Sequence, residues 1–274
     1  MDSDLSSASP SSALPKSPWH LVPKALFLGG LLSLVGLFLT ATPGGLLEKA
    51  KLIGFALCHQ IPERSFFFHE HQAPLCARCT GIYLGMALGL VFLVIRRRTR
   101  ASRLPPVPIV ATLILFIIAM GIDGVNSTIS IIPGAPQLYH TTNLHRIITG
   151  TLCGVAISVL FLPYFSTAVW REVSGERTLQ NGWELLVLLL VTAAVIVLVA
   201  STPDWLLYPI TIISVAGPLL LLSFMVAVVW MSTRQKDSAV SGLRQMIIPM
   251  IFGLACSLIL ITLMDILRSI ATTA

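Results

Sequence analysis

Charged side chains are scarce in this chain: only 11% of its 274 residues are Asp, Glu, Lys or Arg. A soluble domain carries about 25% of these residues, whereas 55% of this chain is hydrophobic. The composition therefore excludes an ordinary soluble globular protein and indicates a membrane protein. The formal net charge of +6 does not indicate nucleic-acid binding, because the basic residues lie in short segments between apolar runs, where they set membrane orientation.

Cysteine is also limited, and its count of five is odd. An odd count excludes a framework in which every cysteine is paired within the chain. Cys153 and Cys256 lie inside apolar runs and are expected to pack as small hydrophobic side chains. The chain also lacks an internal repeat and carries few charged groups deep in its apolar runs, so a transporter or carrier is the weakest functional hypothesis.

Apolar runs fill most of the chain and predict an all-α, polytopic transmembrane helix bundle. Each of seven runs is near the length of about 17–25 residues that a bilayer core requires. A disordered tail over 1–20, a four-span membrane domain over 25–165 and three additional spans over 184–267 are expected. The predicted spans are residues 25–41, 80–95, 107–122, 144–165, 184–200, 210–230 and 246–267.

Basic residues predict the orientation of the bundle. With the N-terminus inside, twelve of the 18 Lys and Arg residues fall on inner segments, led by the arginine cluster at 96–103. Segment 57–80 then faces outward from the cytoplasmic (inner) membrane. Residues 46–57 are expected to form an amphipathic helix at the membrane interface. The expected partners are the lipid bilayer and an unidentified membrane or periplasmic protein.

Reactive side chains are concentrated in segment 57–80. Cys76 and Cys79 are separated by two residues and precede the second span, where a helix N-terminus favours the thiolate form. Three thiols and one imidazole would complete a tetrahedral zinc shell, whereas copper(I) and iron fit less well. The predicted metal ligands are Cys58, His59, Cys76 and Cys79.

Polar residues near other span ends are expected to line a pocket beside the cysteines. Asp123 is predicted to pair with Arg146, because an ionisable group at a span end is costly unless it is paired. Asn143 and Arg146 share one face of the fourth span, by three-residue spacing. Arg64 and Arg78 are expected either to extend to lipid headgroups or to support thiolates or an anionic ligand. The predicted pocket contains Arg64, Arg78, Asp123, Asn143 and Arg146.

Two other roles remain open for the same three thiols. The first is purely structural: a disulfide with one spare thiol, or a structural zinc, that holds the loop against the bundle. The second is a membrane thiol–disulfide oxidoreductase with quinone as electron acceptor. In that enzyme the catalytic residues would be Cys58 as the shuttle cysteine and Cys76 or Cys79 as the nucleophile.

Four segments of the chain, CHQIPERSF, PLCARCTGIYLG, GIDG and TTNLHRIITG, form a long and specific pattern. They resemble an uncharacterised family of prokaryotic membrane proteins, domain of unknown function 2085, over roughly 52–160. The resemblance implies a multi-span membrane domain and no established activity. The histidines at 69, 71, 140 and 145 fall outside the motif. The motif positions that it implies are Cys58, His59, Gln60, Pro62, Arg64, Ser65, Cys76, Arg78, Cys79, Thr80, Gly81, Asp123, Thr142, Asn143, Arg146 and Gly150.

Overall fold

A computed structural model describes residues 44–130, 132, 136–233 and 243–273, together with Gly29, Gly36 and Thr40. The predicted disordered tail, and most of the predicted first span at 25–41, lie outside these residues. Within the described part of the chain, six helices are long and apolar enough to cross a membrane. Each of them contains one of the other six predicted spans, so the prediction of a multi-span helix bundle is confirmed.

Helices make up most of the described chain, and two small sheets connect them. The helices are α1 (Leu46–Leu57), α2 (Ala77–Ile95), α3 (Val107–Ile129), α4 (Asn143–Val169), α5 (Gly182–Ala200), α6 (Leu207–Thr233) and α7 (Leu243–Thr273). The strands are β1 (Ser65–Phe68) and β2 (His71–Cys76), which pair antiparallel, and β3 (Ala101–Arg103) and β4 (Ser174–Arg177), which pair parallel.

Helices α2 and α4 approach each other closely along a stripe of small residues. A Cβ atom added to Gly85 would lie 2.0 Å from the carbonyl oxygen of Thr151, and one added to Gly154 would lie 2.0 Å from that of Ile82. Small residues at four-residue spacing allow two helix backbones to pack in direct contact inside a membrane. The stripe consists of Gly81, Gly85 and Gly89 on α2, and Gly150, Gly154 and Ser158 on α4.

Helix α3 continues about two turns beyond the predicted end of its span at residue 122. Asp123, Asn126 and Ser127 are buried on this extension. The Asn126 side chain donates to the carbonyl of Tyr139 at 2.8 Å and accepts from the backbone N–H of Leu138 at 2.8 Å. The helix continues beyond the apolar run because these polar groups find hydrogen-bond partners within the protein.

The loop of segment 57–80 contains a β-hairpin, made of β1 and β2, that the sequence analysis did not predict. Phe66 and Phe68 are buried while Phe67, between them, is 43% exposed. This alternation is the pattern of a strand with one face against a core. Phe66 and Phe68 join the apolar cluster that includes Leu84 of α2, so the hairpin is fastened to the membrane helices.

The opposite end of α2 is held by a buried ion-pair network. Arg98 is only 5% exposed, and its guanidinium donates to Glu184 at 3.0 Å and to the carbonyl of Thr178 at 3.3 Å. Arg96 donates to the other carboxylate oxygen of Glu184 at 2.6 Å. Part of the arginine cluster predicted to set orientation therefore also joins α2 to α5.

We expect Gly85→Ala to lower the unfolding free energy by about 1–3 kcal/mol, because the added methyl group overpacks the contact between α2 and α4. Gly121→Ala is the matched control, since a Cβ at Gly121 meets no heavy atom of the described residues within 4 Å. Thermal unfolding in detergent should show a lower Tm for Gly85→Ala and an equal or higher Tm for Gly121→Ala. Equal behaviour of the two variants would contradict this packing.

Candidate functional site

Three cysteine side chains converge where α1, β2 and α2 meet. Their Sγ atoms all lie within 4.8 Å of one another. Within the described part of the chain, they are the group of three or more Cys, His, Asp or Glu ligand atoms that are close enough to hold one metal ion. Cys58, Cys76 and Cys79 are all free thiols; Cys58 is buried and the other two are half-buried. We call these three residues the thiol cluster.

The thiol cluster forms because two distant segments approach without an intervening side chain. A Cβ added to Gly54 of α1 would lie 2.3 Å from the carbonyl oxygen of Pro74 in β2. Cys58 lies one turn after Gly54 and ends α1, where its N–H donates to the Gly54 carbonyl at 2.8 Å. Cys76 ends β2 and is the N-cap of α2, so Cys79 falls in the first turn of that helix.

Gln60 holds the turn that follows Cys58. Its backbone is left-handed, with φ of +50°, a conformation that costs free energy in a residue other than glycine. Its side-chain nitrogen donates to the carbonyls of Lys51 and Pro74, both at 2.7 Å, and its own carbonyl accepts from Gln72 at 2.8 Å. These bonds fix the strained turn. The motif included Gln60, but nothing in its residue type indicated this role.

The three sulfur atoms differ in their preference for charge. The backbone N–H of Cys76 donates to the Sγ of Cys58 at 3.3 Å. Hydrogen bonds from the thiols of Cys76 and Cys79 lower the pKa of Cys58, while the same bond to Cys58 raises the pKa of Cys76. The hydrogen bonds within the cluster therefore favour negative charge on the sulfur of Cys58 over that of Cys76.

The histidine side chains that the structure describes lie outside the thiol cluster. His59, the predicted fourth ligand, is exposed, and its ring is not in the group of ligand atoms within 4.8 Å. His69 is exposed at the hairpin turn, 3.8 Å from the carboxylate of Asp204. The Nδ1 atom of His145 lies 2.8 Å from the hydroxyl of Thr142, the N-cap of α4. His71 and His140 are also exposed.

The predicted pairing of Asp123 with Arg146 is wrong, because the salt bridge of Asp123 is to Arg78. Asp123 is fully buried, and the Nε of Arg78 donates to its carboxylate at 3.1 Å. Tyr139 donates to the other carboxylate oxygen at 2.9 Å. The guanidinium of Arg78 thus joins the start of α2 to α3.

Arg64 and Arg146 lie on the same side of the bundle and take neutral partners. Arg146 donates to Asn143 at 2.9 Å and to the hydroxyl of Ser127 at 3.2 Å. Arg64 donates to the hydroxyl of Ser130 at 3.2 Å. Asn143 in turn donates to the carbonyl of Ser65 at 3.1 Å. The predicted pocket residues are therefore brought together, and we call Arg64, Arg78 and Arg146 the arginine layer.

Comparison with known proteins supports the expected resemblance. The family described as a predicted membrane protein (DUF2085) matches residues 58–160. An uncharacterised protein of Methanocaldococcus jannaschii is 31% identical over 116 residues, or 42% of this chain and 68% of the relative. One of Methanothermobacter thermautotrophicus is 33% identical over 107 residues, or 38% of this chain and 83% of the relative. No solved structure matches the chain.

Arg268, on the last helix, contacts the site from outside the matched region. Its guanidinium donates to the carbonyl of Cys58 at 2.7 Å and also to the carbonyl of Phe55. The guanidinium carbon lies 4.1 Å from the ring centroid of Phe55. The C-terminal carbonyls of a helix attract cations, so Arg268 of α7 caps α1 next to the thiol cluster. The sequence carries no pattern that connects two residues this far apart.

We expect Arg268→Gln to increase the rate of Cys58 alkylation by about tenfold, because hydrogen bonds to charged groups contribute about 1.5–3 kcal/mol to holding the end of α1. The rate is measured on chelator-treated protein with a maleimide reagent and peptide mass mapping. Arg171→Gln, which changes an exposed arginine beyond the far end of α4, is the control. Equal rates in both variants would show that Arg268 does not position Cys58.

Proposed function

We propose that this chain, which belongs to the DUF2085 family of predicted membrane proteins, binds one metal ion through Cys58, Cys76 and Cys79. The observation that carries the proposal is the convergence of three free thiols within 4.8 Å. Zinc–sulfur bonds of about 2.3 Å place tetrahedral sulfur ligands roughly 3.8 Å apart. Small side-chain rotations are therefore enough to bring the three sulfurs around a single ion.

The surroundings of the thiol cluster favour its deprotonated, metal-binding form. Thiolate is the ligand form of cysteine, and the N–H of Cys76 already donates to the sulfur of Cys58. The cluster also lies at the start of α2, where the helix dipole stabilises negative charge. Binding a divalent ion releases the protons of the thiols that become its ligands. Three thiolates favour zinc, with copper(I) and iron as weaker fits.

The fourth ligand position is the least determined part of the site. His59 is adjacent to Cys58 in sequence but exposed, so it would have to rotate inward to complete the predicted set of three thiols and one imidazole. A zinc site with three protein ligands instead keeps its fourth position for water or another ligand. The first arrangement is typical of structural sites and the second of catalytic ones.

The proposed site faces outward from the cytoplasmic membrane. The support is the distribution of basic residues, which places the N-terminal end of α2 opposite the arginine cluster at its C-terminal end. At this position a metal ion would be supplied from the periplasm or the cell exterior. The ion would join α1 and the hairpin to the membrane helices, whatever further chemistry it supports.

Thiol–disulfide chemistry is the second candidate, and the same sulfur geometry favours it. Three free thiols within 4.8 Å of one another allow Cys76 or Cys79 to attack the disulfide of a partner and a second cysteine to resolve the mixed disulfide. Oxidation of two cysteines to a disulfide would release two electrons and two protons, which a membrane quinone accepts. A metal ion held by all three thiolates excludes this reaction, so the two functions predict different states of the purified protein.

Metal analysis combined with thiol counting distinguishes these functions. We expect about one zinc ion per chain in the full-length protein, with three fewer alkylatable thiols than after chelation. Cys58→Ser, Cys76→Ser and Cys79→Ser should each lose the ion. Cys256→Ser, which changes a thiol of α7 outside the cluster, should keep it. His59→Ala retains zinc if the fourth position is open and loses affinity if His59 is a ligand.

Two results would contradict the proposed metal site. The first is metal-free protein in which all three cluster thiols react with the alkylating reagent. The second is a disulfide between two of the three cysteines that forms and breaks with the redox buffer, which would favour the thiol–disulfide function.

A further inference from the structure

We propose that Arg64 and Arg146 form a binding site for one phosphate-class oxyanion, beside the thiol cluster but separate from it. The ligand is either inorganic phosphate or the phosphate of a lipid headgroup, since both offer the same oxygen atoms to a guanidinium. This site does not depend on the metal proposed for the thiol cluster.

The first argument is the charge of the arginine layer. It contains three guanidinium groups, and the carboxylate bonded to it is that of Asp123. The carboxylate of Asp123 already accepts hydrogen bonds from Arg78, from Tyr139 at 2.9 Å and from Thr149 at 3.4 Å. The three guanidinium groups and the one carboxylate together therefore carry a net charge of +2. Charge at this density near a membrane is costly unless a counter-ion is present.

The second argument is an unsatisfied donor on Arg146. This side chain is only 6% exposed, yet its Nε has no hydrogen-bond partner among the residues that the structure describes. Its other two nitrogens donate to the neutral oxygens of Asn143 and Ser127. Buried polar groups in proteins are nearly always hydrogen-bonded. A buried guanidinium with an open N–H and only neutral partners is the environment that an oxyanion satisfies.

The third argument is that Arg64 adds a second guanidinium at the same place. Its partner Ser130 donates to the carbonyl of Ser127, at 2.8 Å, so both arginines are bonded to the same turn of α3. The positive charge of Arg64 acts directly on Arg146. Arg64 is half-buried whereas Arg146 is buried, so the pair extends from the protein interior to its surface.

The thiol cluster alone does not account for these charges. Three thiolates around a divalent ion carry one net negative charge, which offsets only one of the two excess positive charges. A further anion is therefore expected with or without the metal. Phosphate suits the site because the planar fork of a guanidinium matches two oxygens of one phosphate group.

The test uses full-length protein in neutral detergent, with and without chelation, and two probes. Inorganic phosphate is titrated against chloride at constant ionic strength while Tm is recorded. In a second arm, phosphatidylglycerol is added and bound lipid is counted by native mass spectrometry. The variants are Arg146→Gln and Arg64→Gln, with Arg171→Gln as the control. Arg64→Gln decides the matter if Arg146→Gln does not fold, because Arg64 is less buried.

The proposal predicts binding to wild type and Arg171→Gln that weakens about tenfold or more in Arg64→Gln, since a hydrogen bond to a charged group contributes about 1.5–3 kcal/mol. A response limited to the phosphate arm supports a free oxyanion, and one limited to the lipid arm supports a headgroup. No binding in either arm would overturn the proposal. Equal weakening in Arg64→Gln and Arg171→Gln would also overturn it, because it would show a general effect of surface charge.

Discussion

The close contact between α2 and α4 is the constraint on which the functional end of the molecule depends. Glycine at Gly81, Gly85 and Gly154 lets the two backbones touch, and this contact fixes the depth and rotation of both helices. Helix α2 carries Cys79 and Arg78 and is capped by Cys76, and α4 carries Asn143 and Arg146. Side chains at the stripe glycines would separate these helices and move the arginine layer away from the cysteines.

Two kinds of charge meet at this end of the bundle. The thiol cluster concentrates potential negative charge on sulfur, and the arginine layer next to it holds more positive charge than Asp123 neutralises. The thiol cluster depends on hydrogen bonds from other segments: Gln60 fixes the turn after Cys58, and Arg268 caps the helix that precedes Cys58. A cation at the sulfurs and an anion at the arginines would each satisfy groups that the polypeptide leaves unsatisfied.

Composition and apolar run length predicted the helix bundle, because burial in lipid demands long uninterrupted apolar segments. The spacing of Cys58, Cys76 and Cys79 indicated a common site, and the structure places the three sulfurs together. Pairing was harder to predict: Asp123 bonds to Arg78 because α2 and α3 both pack against α4, which the position of a residue at a span end does not reveal. The hairpin was missed because its alternation is short, and the glycine stripe was missed although its four-residue spacing is present in the sequence.

The proposed function depends on one metal ion bound by the sulfur atoms of all three cluster cysteines. X-ray absorption at the zinc edge, recorded on the purified full-length protein, measures this coordination shell directly. We expect three sulfur atoms at about 2.3 Å and one nitrogen or oxygen atom at about 2.0 Å. A shell made only of nitrogen and oxygen, or one with a single sulfur, would contradict it.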